Sequence, residues 1–144
     1  MKKRGVLLLP GAFVLVLSVF MMGCSDGSDS ASHNDASYLV GSWSSSGASF
    51  VIAADYTFSC TLKTMGDAVV TGELSFNDDG LGPNDYILTN LANPDNKVGG
   101  TAALLSMFPT GILATLEPNA DKTTFTFSST DQSANGFFGG TYIK

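Results

Sequence analysis

Thr57-Phe58-Ser59-Cys60-Thr61-Leu62-Lys63 alternates strictly: Phe58, Cys60 and Leu62 share one face, and hydroxyls with a terminal lysine make the other. A two-residue period belongs to a strand with one face buried, since successive side chains on extended backbone point to opposite sides. The same reading applies to Val69–Phe76, where Val70, Leu74 and Phe76 fall together, and to Thr123–Ser129, where Phe125 and Phe127 do. Gly41–Ser46, Ala48–Ala53, Asp85–Leu91, Ile112–Glu117 and Gly139–Ile143 complete the set of predicted strands.

The breaks carry turn chemistry. Ala54-Asp55, Gly66-Asp67, Asn77-Asp78-Asp79-Gly80, Pro94-Asp95-Asn96, Pro109-Thr110-Gly111 and Asn119-Ala120-Asp121 supply side chains that hydrogen-bond their own backbone, or residues that preset its angles. About eight short strands with little helical periodicity predict an all-β fold. A small up-and-down antiparallel barrel is the first expectation, because closure leaves no exposed edge, and a sandwich is the alternative. Thr101–Phe108 stays open between a buried helix, a covered strand and half of a hairpin, since its apolar residues lie on every side. Left partly uncovered, it is the expected apolar surface for a ligand or partner.

Upstream of the strands the composition changes twice. Lys2, Lys3 and Arg4 precede the apolar run Val6–Met22, and Gly23 precedes Cys24, the pattern of an export leader with a small residue before its cut. Pro10, Gly11 and Ser18 interrupt a run already short against the ~20 residues a bilayer needs, which disfavours an uncleaved anchor. The Met21-Met22-Gly23-Cys24 junction resembles the lipobox of bacterial lipoproteins, although methionines stand where other residues are preferred. The resemblance implies a signal peptide over residues 1–23, with diacylglycerol and an N-acyl chain carried on Cys24. One buried chain contributes about 0.8 kcal/mol per methylene and holds only reversibly; two or three hold firmly. Ser25 rather than Asp after the cysteine then favours the outer membrane.

From Ser25 to Ser37 the chain is Ser, Asp, Gly, Ala, Asn and the single His33, too polar to offset the cost of ordering. Residues 24–37 are accordingly expected as a disordered tether reaching about 20 Å, with one domain over residues 38–144. Without the three basic residues of the leader, four of the seven basic residues remain, all lysine, against thirteen carboxylates, a formal balance of −9. So acidic a chain is a poor partner for nucleic acid. Cys24 and Cys60 are the only cysteines. Lipid on Cys24 leaves Cys60 unpaired, whereas a disulfide between them would exclude the anchor. On the apolar face of a strand, Cys60 reads as a small hydrophobe rather than a nucleophile.

Tyr38-Leu39-Val40-Gly41-Ser42-Trp43, followed by Ala48-Ser49-Phe50-Val51-Ile52, resembles the opening of calycin-type barrels, the lipocalin and avidin relatives. Asn84-Asp85-Tyr86 is similar to the second lipocalin motif, and Gly139–Lys144 to a closing strand. The resemblance implies a Trp that closes one barrel end, with an Arg set against it; residues 24–144 contain no Arg, and Lys144 is the nearby cation. It covers some fifteen residues and carries over architecture without a ligand.

Candidate cavity residues are Trp43, Phe50, Ile52, Phe58, Leu74, Phe76, Phe125, Phe127 and Tyr142. Enclosing a void, they would hold a small apolar molecule; meeting one another, they would make a filled barrel that works through its surface on an envelope protein. No catalytic site is expected: His33 lies in the tether, and no cluster suits acid–base, triad or zinc chemistry. Asp78, Asp79 and Asp85 around Gly80 and Gly82 are oxygen donors of the kind calcium takes, weighed against a solvated turn. Metabolic labelling with an alkyne fatty acid should mark the protein, and Cys24→Ala should abolish the mark; labelling that survives the substitution would remove the anchor.

Overall fold

The computed structural model describes residues 35–80 and 82–144; the leader, Cys24 and His33 lie outside them. Eight antiparallel strands follow one another around a closed up-and-down barrel. They are β1 (Gly41–Ser44), β2 (Ala48–Ile52), β3 (Thr57–Leu62), β4 (Ala68–Phe76), β5 (Asp85–Ala92), β6 (Ile112–Pro118), β7 (Thr124–Ser128) and β8 (Gly140–Ile143). Two helices interrupt them, α1 (Gly100–Met107) before β6 and α2 (Gln132–Phe138) before β8. A single turn of 3-10 helix, Ala36–Leu39, precedes β1.

Each predicted strand is present within one or two residues of its expected bounds, because the inward set defines the register. A slip of one place would send every apolar side chain outward. In β3, Phe58, Cys60 and Leu62 are buried and pair with Ile52, Phe50 and Ala48 of β2. On the other side Phe58 faces Gly72 of β4, where the inward row has no side chain. A β-carbon at Gly72 would stand 2.8 Å from the Phe58 ring and 2.7 Å from the Thr89 carbonyl, so the ring fills the space that glycine leaves. The β4–β5 ladder shifts register at this point, between Thr71 and Glu73.

Up-and-down order puts the connections at alternate ends. The chain enters at one end, with the 3-10 turn, the β2–β3, β4–β5 and β6–β7 loops and Lys144; this is the entry end. The far end carries α1 and α2. Thr101–Phe108 is thus helical over most of its length, with Leu104 and Phe108 buried while Leu105 and Met107 are about two-fifths exposed. The second helix was not expected. It begins where the Asp131 carboxylate accepts hydrogen bonds from the Ser133 and Ala134 N–H groups, and it buries Ala134 and Phe138.

Two residues expected within the tether are ordered: Ala36 is buried and Ser37 belongs to the 3-10 turn. Asp35 fixes the turn by accepting from the Ser37 N–H at 2.9 Å and the Ser37 hydroxyl at 2.8 Å. Tyr38 and Leu39 then bury enough surface to hold it.

The barrel core centres on Phe50, which meets Phe58, Phe125, Phe127, Phe138 and Tyr142 at centroid distances of 5.1–6.4 Å. Phe50→Ala should cost about 3–5 kcal/mol. Val51, next in sequence but half exposed on the outer wall, should tolerate Val51→Thr within about 0.5 kcal/mol. Urea unfolding of the two variants checks the contrast, and equal losses would contradict the assigned facing of β2.

Candidate functional site

The nine expected cavity residues converge on the barrel interior, where they pack on one another. Trp43 meets Phe125 edge-on at 4.8 Å, and Phe125 stacks on Tyr142 at 4.9 Å with 15° between planes. Ile52, Phe58, Leu74 and Phe127 are buried in the same cluster, and half-buried Phe76 stacks on Tyr86 at 5.0 Å. Such pairs add about 0.5–1.5 kcal/mol each beyond the area they bury. Tyr142, among them, donates its hydroxyl proton to the Phe138 carbonyl at 2.7 Å. An eight-stranded barrel is just wide enough for side chains to fill, and these rings meet across it.

At the entry end the 3-10 turn lies across the mouth as a strap. The Trp43 Nε1–H donates to the Leu39 carbonyl at 2.7 Å, and the Tyr38 hydroxyl donates to the Leu116 carbonyl at 3.1 Å. Lys144 sets its ammonium over the Trp43 ring, 5.2 Å from the centroid, and donates to the Tyr38 carbonyl at 3.3 Å. A cation therefore stands against the indole, where the calycin resemblance implies an arginine. Its stem passes Gly41, whose φ of 133° disfavours any side chain and where a β-carbon would lie 3.1 Å from the lysine Cε.

Beneath the strap sits Tyr86, 1% exposed, whose hydroxyl makes no hydrogen bond of acceptable geometry. Burial pushes its ionisation upward, and the Tyr38 hydroxyl beside it adds to the shift, by its charge and as the acceptor toward which the Tyr86 proton points. An unpaired buried hydroxyl costs about 1–3 kcal/mol. Tyr56, another neighbour, holds φ at 61°, an unusual backbone for a bulky residue. Tyr86 falls within the expected Asp85–Leu91 strand with no face assigned to it, and nothing in the sequence shows how its hydroxyl is answered.

The far end offers a different surface. A cleft of about 520 Å³ runs between Thr89, Asn90 and Leu91 of β5 and the Leu105–Gly111 stretch, with Leu105, Phe108 and Pro109 on its apolar side. A second groove, about 320 Å³, lies on the outer wall among Asn77, Asp85, Leu113, Thr115 and Ser128–Thr130. Neither is lined by the interior rings.

The acidic β4–β5 loop spends its best ligand internally. Asp85 accepts from the Gly82 N–H at 2.8 Å and from the Thr115 hydroxyl at 2.8 Å. Asp78, Asp79 and Asp85 do not converge, and among the described residues no three His, Cys, Asp or Glu groups come together as a metal set. Cys60 is fully buried, and burial alone drives its ionisation far upward, which removes the thiolate that nucleophilic or redox chemistry needs.

Tyr38, Tyr86 and Tyr142 are shifted in the same direction as Cys60, with burial as the first cause in each. All four are favoured neutral by folding, so the unfolded chain loses these protons first. Their contribution is complete below the free thiol value of about 8.5 and declines as pH climbs through the free phenol value near 10. The urea midpoint should therefore fall steadily between about pH 9 and pH 11, with Cys60 unreactive to Ellman's reagent until unfolding; a flat midpoint would contradict the burial of these groups. No protein-family model matches the chain, and no curated protein or solved structure is found similar to it.

Proposed function

We propose that the chain is a lipid-anchored protein of the bacterial envelope, outer membrane favoured, whose barrel carries out no catalysis and presents its far end to another envelope protein. The reading rests first on the division of labour between the two ends. The chain enters at one end, downstream of Cys24, and the uncovered apolar residues Leu105 and Met107 of α1 lie at the other, beside the β5 cleft. A domain tethered at its entry end can turn such a surface away from the lipid. The filled interior supports a surface role over storage of a small apolar molecule among the rings.

Among exposed large side chains, Leu105 and Met107 lie on one short helix that contains no charge. Leu105 lines the cleft and Met107 lies further round the same helix, and uncharged apolar side chains so exposed are the kind of surface that protein partners cover. A photocrosslinking residue in place of Leu105, activated in intact cells, should give a discrete adduct that Met107→Asp suppresses. The same residue in place of Thr126, on the hydroxyl-rich outer wall, should give none. Equal yields from the two positions, or an adduct indifferent to Met107→Asp, would overturn the far-end assignment.

A further inference from the structure

We infer that the mouth beneath residues 36–39 is a binding site held shut in cis by the strap, and that its ligand has an apolar body and a carbonyl or carboxylate head. The inference concerns the entry end and stands independently of the anchor and of any partner at α1.

The strap itself defines the chemistry. It inserts two apolar side chains, Tyr38 and Leu39, and offers two successive carbonyls, Tyr38 O to the Lys144 ammonium and Leu39 O to the Trp43 indole N–H. What the mouth recognises is thus an apolar body bearing hydrogen-bond acceptors, although it also presents the Leu116 carbonyl, which takes the Tyr38 hydroxyl proton. Two donors face it, one of them cationic, and a carboxylate satisfies both with charge assistance.

Tyr86 adds a third donor, which the strap answers only through the Tyr38 hydroxyl. Its hydroxyl is buried below the strap and forms no hydrogen bond of good geometry there, so the present occupant matches the site incompletely. A ligand acceptor placed better than the Tyr38 oxygen gains a bond that the strap supplies poorly. Tyr56, in its left-handed backbone, lies close by, and such strain concentrates where a site is held in a set shape.

The strap can also leave without unzipping the barrel. Residues 36–40 take part in no strand pairing, and the Val40 N–H bonds back to Ser37 within the turn itself. Release breaks the Leu39, Tyr38 and Lys144 contacts just named and leaves the strand ladders whole. A segment with so few external bonds opens locally at lower cost than the domain unfolds. Occupation by the strap lowers the apparent affinity of any ligand by the fraction of molecules that are open.

Titration of the full chain with 11-(dansylamino)undecanoic acid, read by dansyl emission and by quenching of the single tryptophan, tests the site. Tyr38→Ala should bind the probe at least about tenfold tighter than the unaltered protein, and adding Tyr86→Phe should weaken that binding about fivefold. Dodecanoate should displace the probe and dodecylamine should not, since the Lys144 ammonium at the mouth repels a second cation. If Tyr38→Ala no longer melts cooperatively, Asp35→Ala loosens the strap from outside the barrel and should tighten binding in the same direction by a smaller factor. Strap variants that stay folded yet bind no better than the unaltered chain overturn the inference. Indifference to Tyr86→Phe, or equal displacement by the amine, does the same.

Discussion

Phe50 is the ring on which the closed sheet depends. From β2 it reaches Phe58 on neighbouring β3, Phe125 and Phe127 on β7, Tyr142 on β8 and Phe138 on α2, so one side chain joins opposite walls and the helix that caps the far end. Strand pairing alone cannot do this, because ladder hydrogen bonds act only between neighbours. Burial of aromatic surface is non-directional and grows with area, and it pulls eight short strands into a cylinder narrow enough for their own side chains to fill. Cys60, Tyr142 and Trp43 take their character from that packing: a thiol without a thiolate, a phenol turned to a helix carbonyl, an indole closing one end.

The price of closure falls on the seam between β1 and β8. Seven of the eight strand junctions carry ladders of several residues, whereas this one pairs only Ser44 with Ile143. Side chains compensate across it. Trp43 on β1 meets Phe125 inside the barrel, and the terminal lysine crosses over Gly41 to the indole and the strap. Its own backbone N–H is tied to Thr123 at 3.0 Å, which steadies the crossing. The entry end is therefore held mainly by side-chain contacts, and the far end by two helices.

How far the fold was legible follows from which signals are local. Strict alternation in Thr57–Lys63 or Thr123–Ser129 leaves one physical solution, and the strands it implies are present. Thr101–Phe108 had no preferred face because Ala102, Ala103, Leu104, Leu105 and Met107 surround the axis, so only tertiary contact with Leu104 and Phe108 selects a helix. Helix α2 was concealed by its own composition. Ser133, Asn135 and Gly136 are weak helix formers, and its order comes from the Asp131 cap and the burial of Phe138. Ala36 and Ser37 of the strap read as tether because Asp35-Ala36-Ser37 has linker composition; the order of the strap depends on Leu116, Trp43 and Lys144, most of them distant in sequence. Of the candidate site, the inward aromatic residues were legible from periodicity. Their mutual contact and the poorly answered Tyr86 hydroxyl were not, since both are set by the angle at which strands far apart in the chain come together.

Charge separates the two ends further. The entry end carries Asp35, Asp55, Asp78, Asp79, Asp85, Glu117 and Asp121 against Lys122 and Lys144, and of these lysines one lies over the Tyr38 ring and the other over Trp43. At the far end Asp67, Asp95 and Asp131 meet Lys63 and Lys97, with Lys97 3.8 Å from Asp95. On the anchor proposed above, the acidic end is the one that the tether draws toward the lipid. Repulsion from anionic head groups acts within about 8 Å at physiological ionic strength. The entry end is then pushed clear of the surface and the nearly balanced, apolar far end turns outward. On that proposal the same charge asymmetry leaves the mouth in water instead of pressed into head groups.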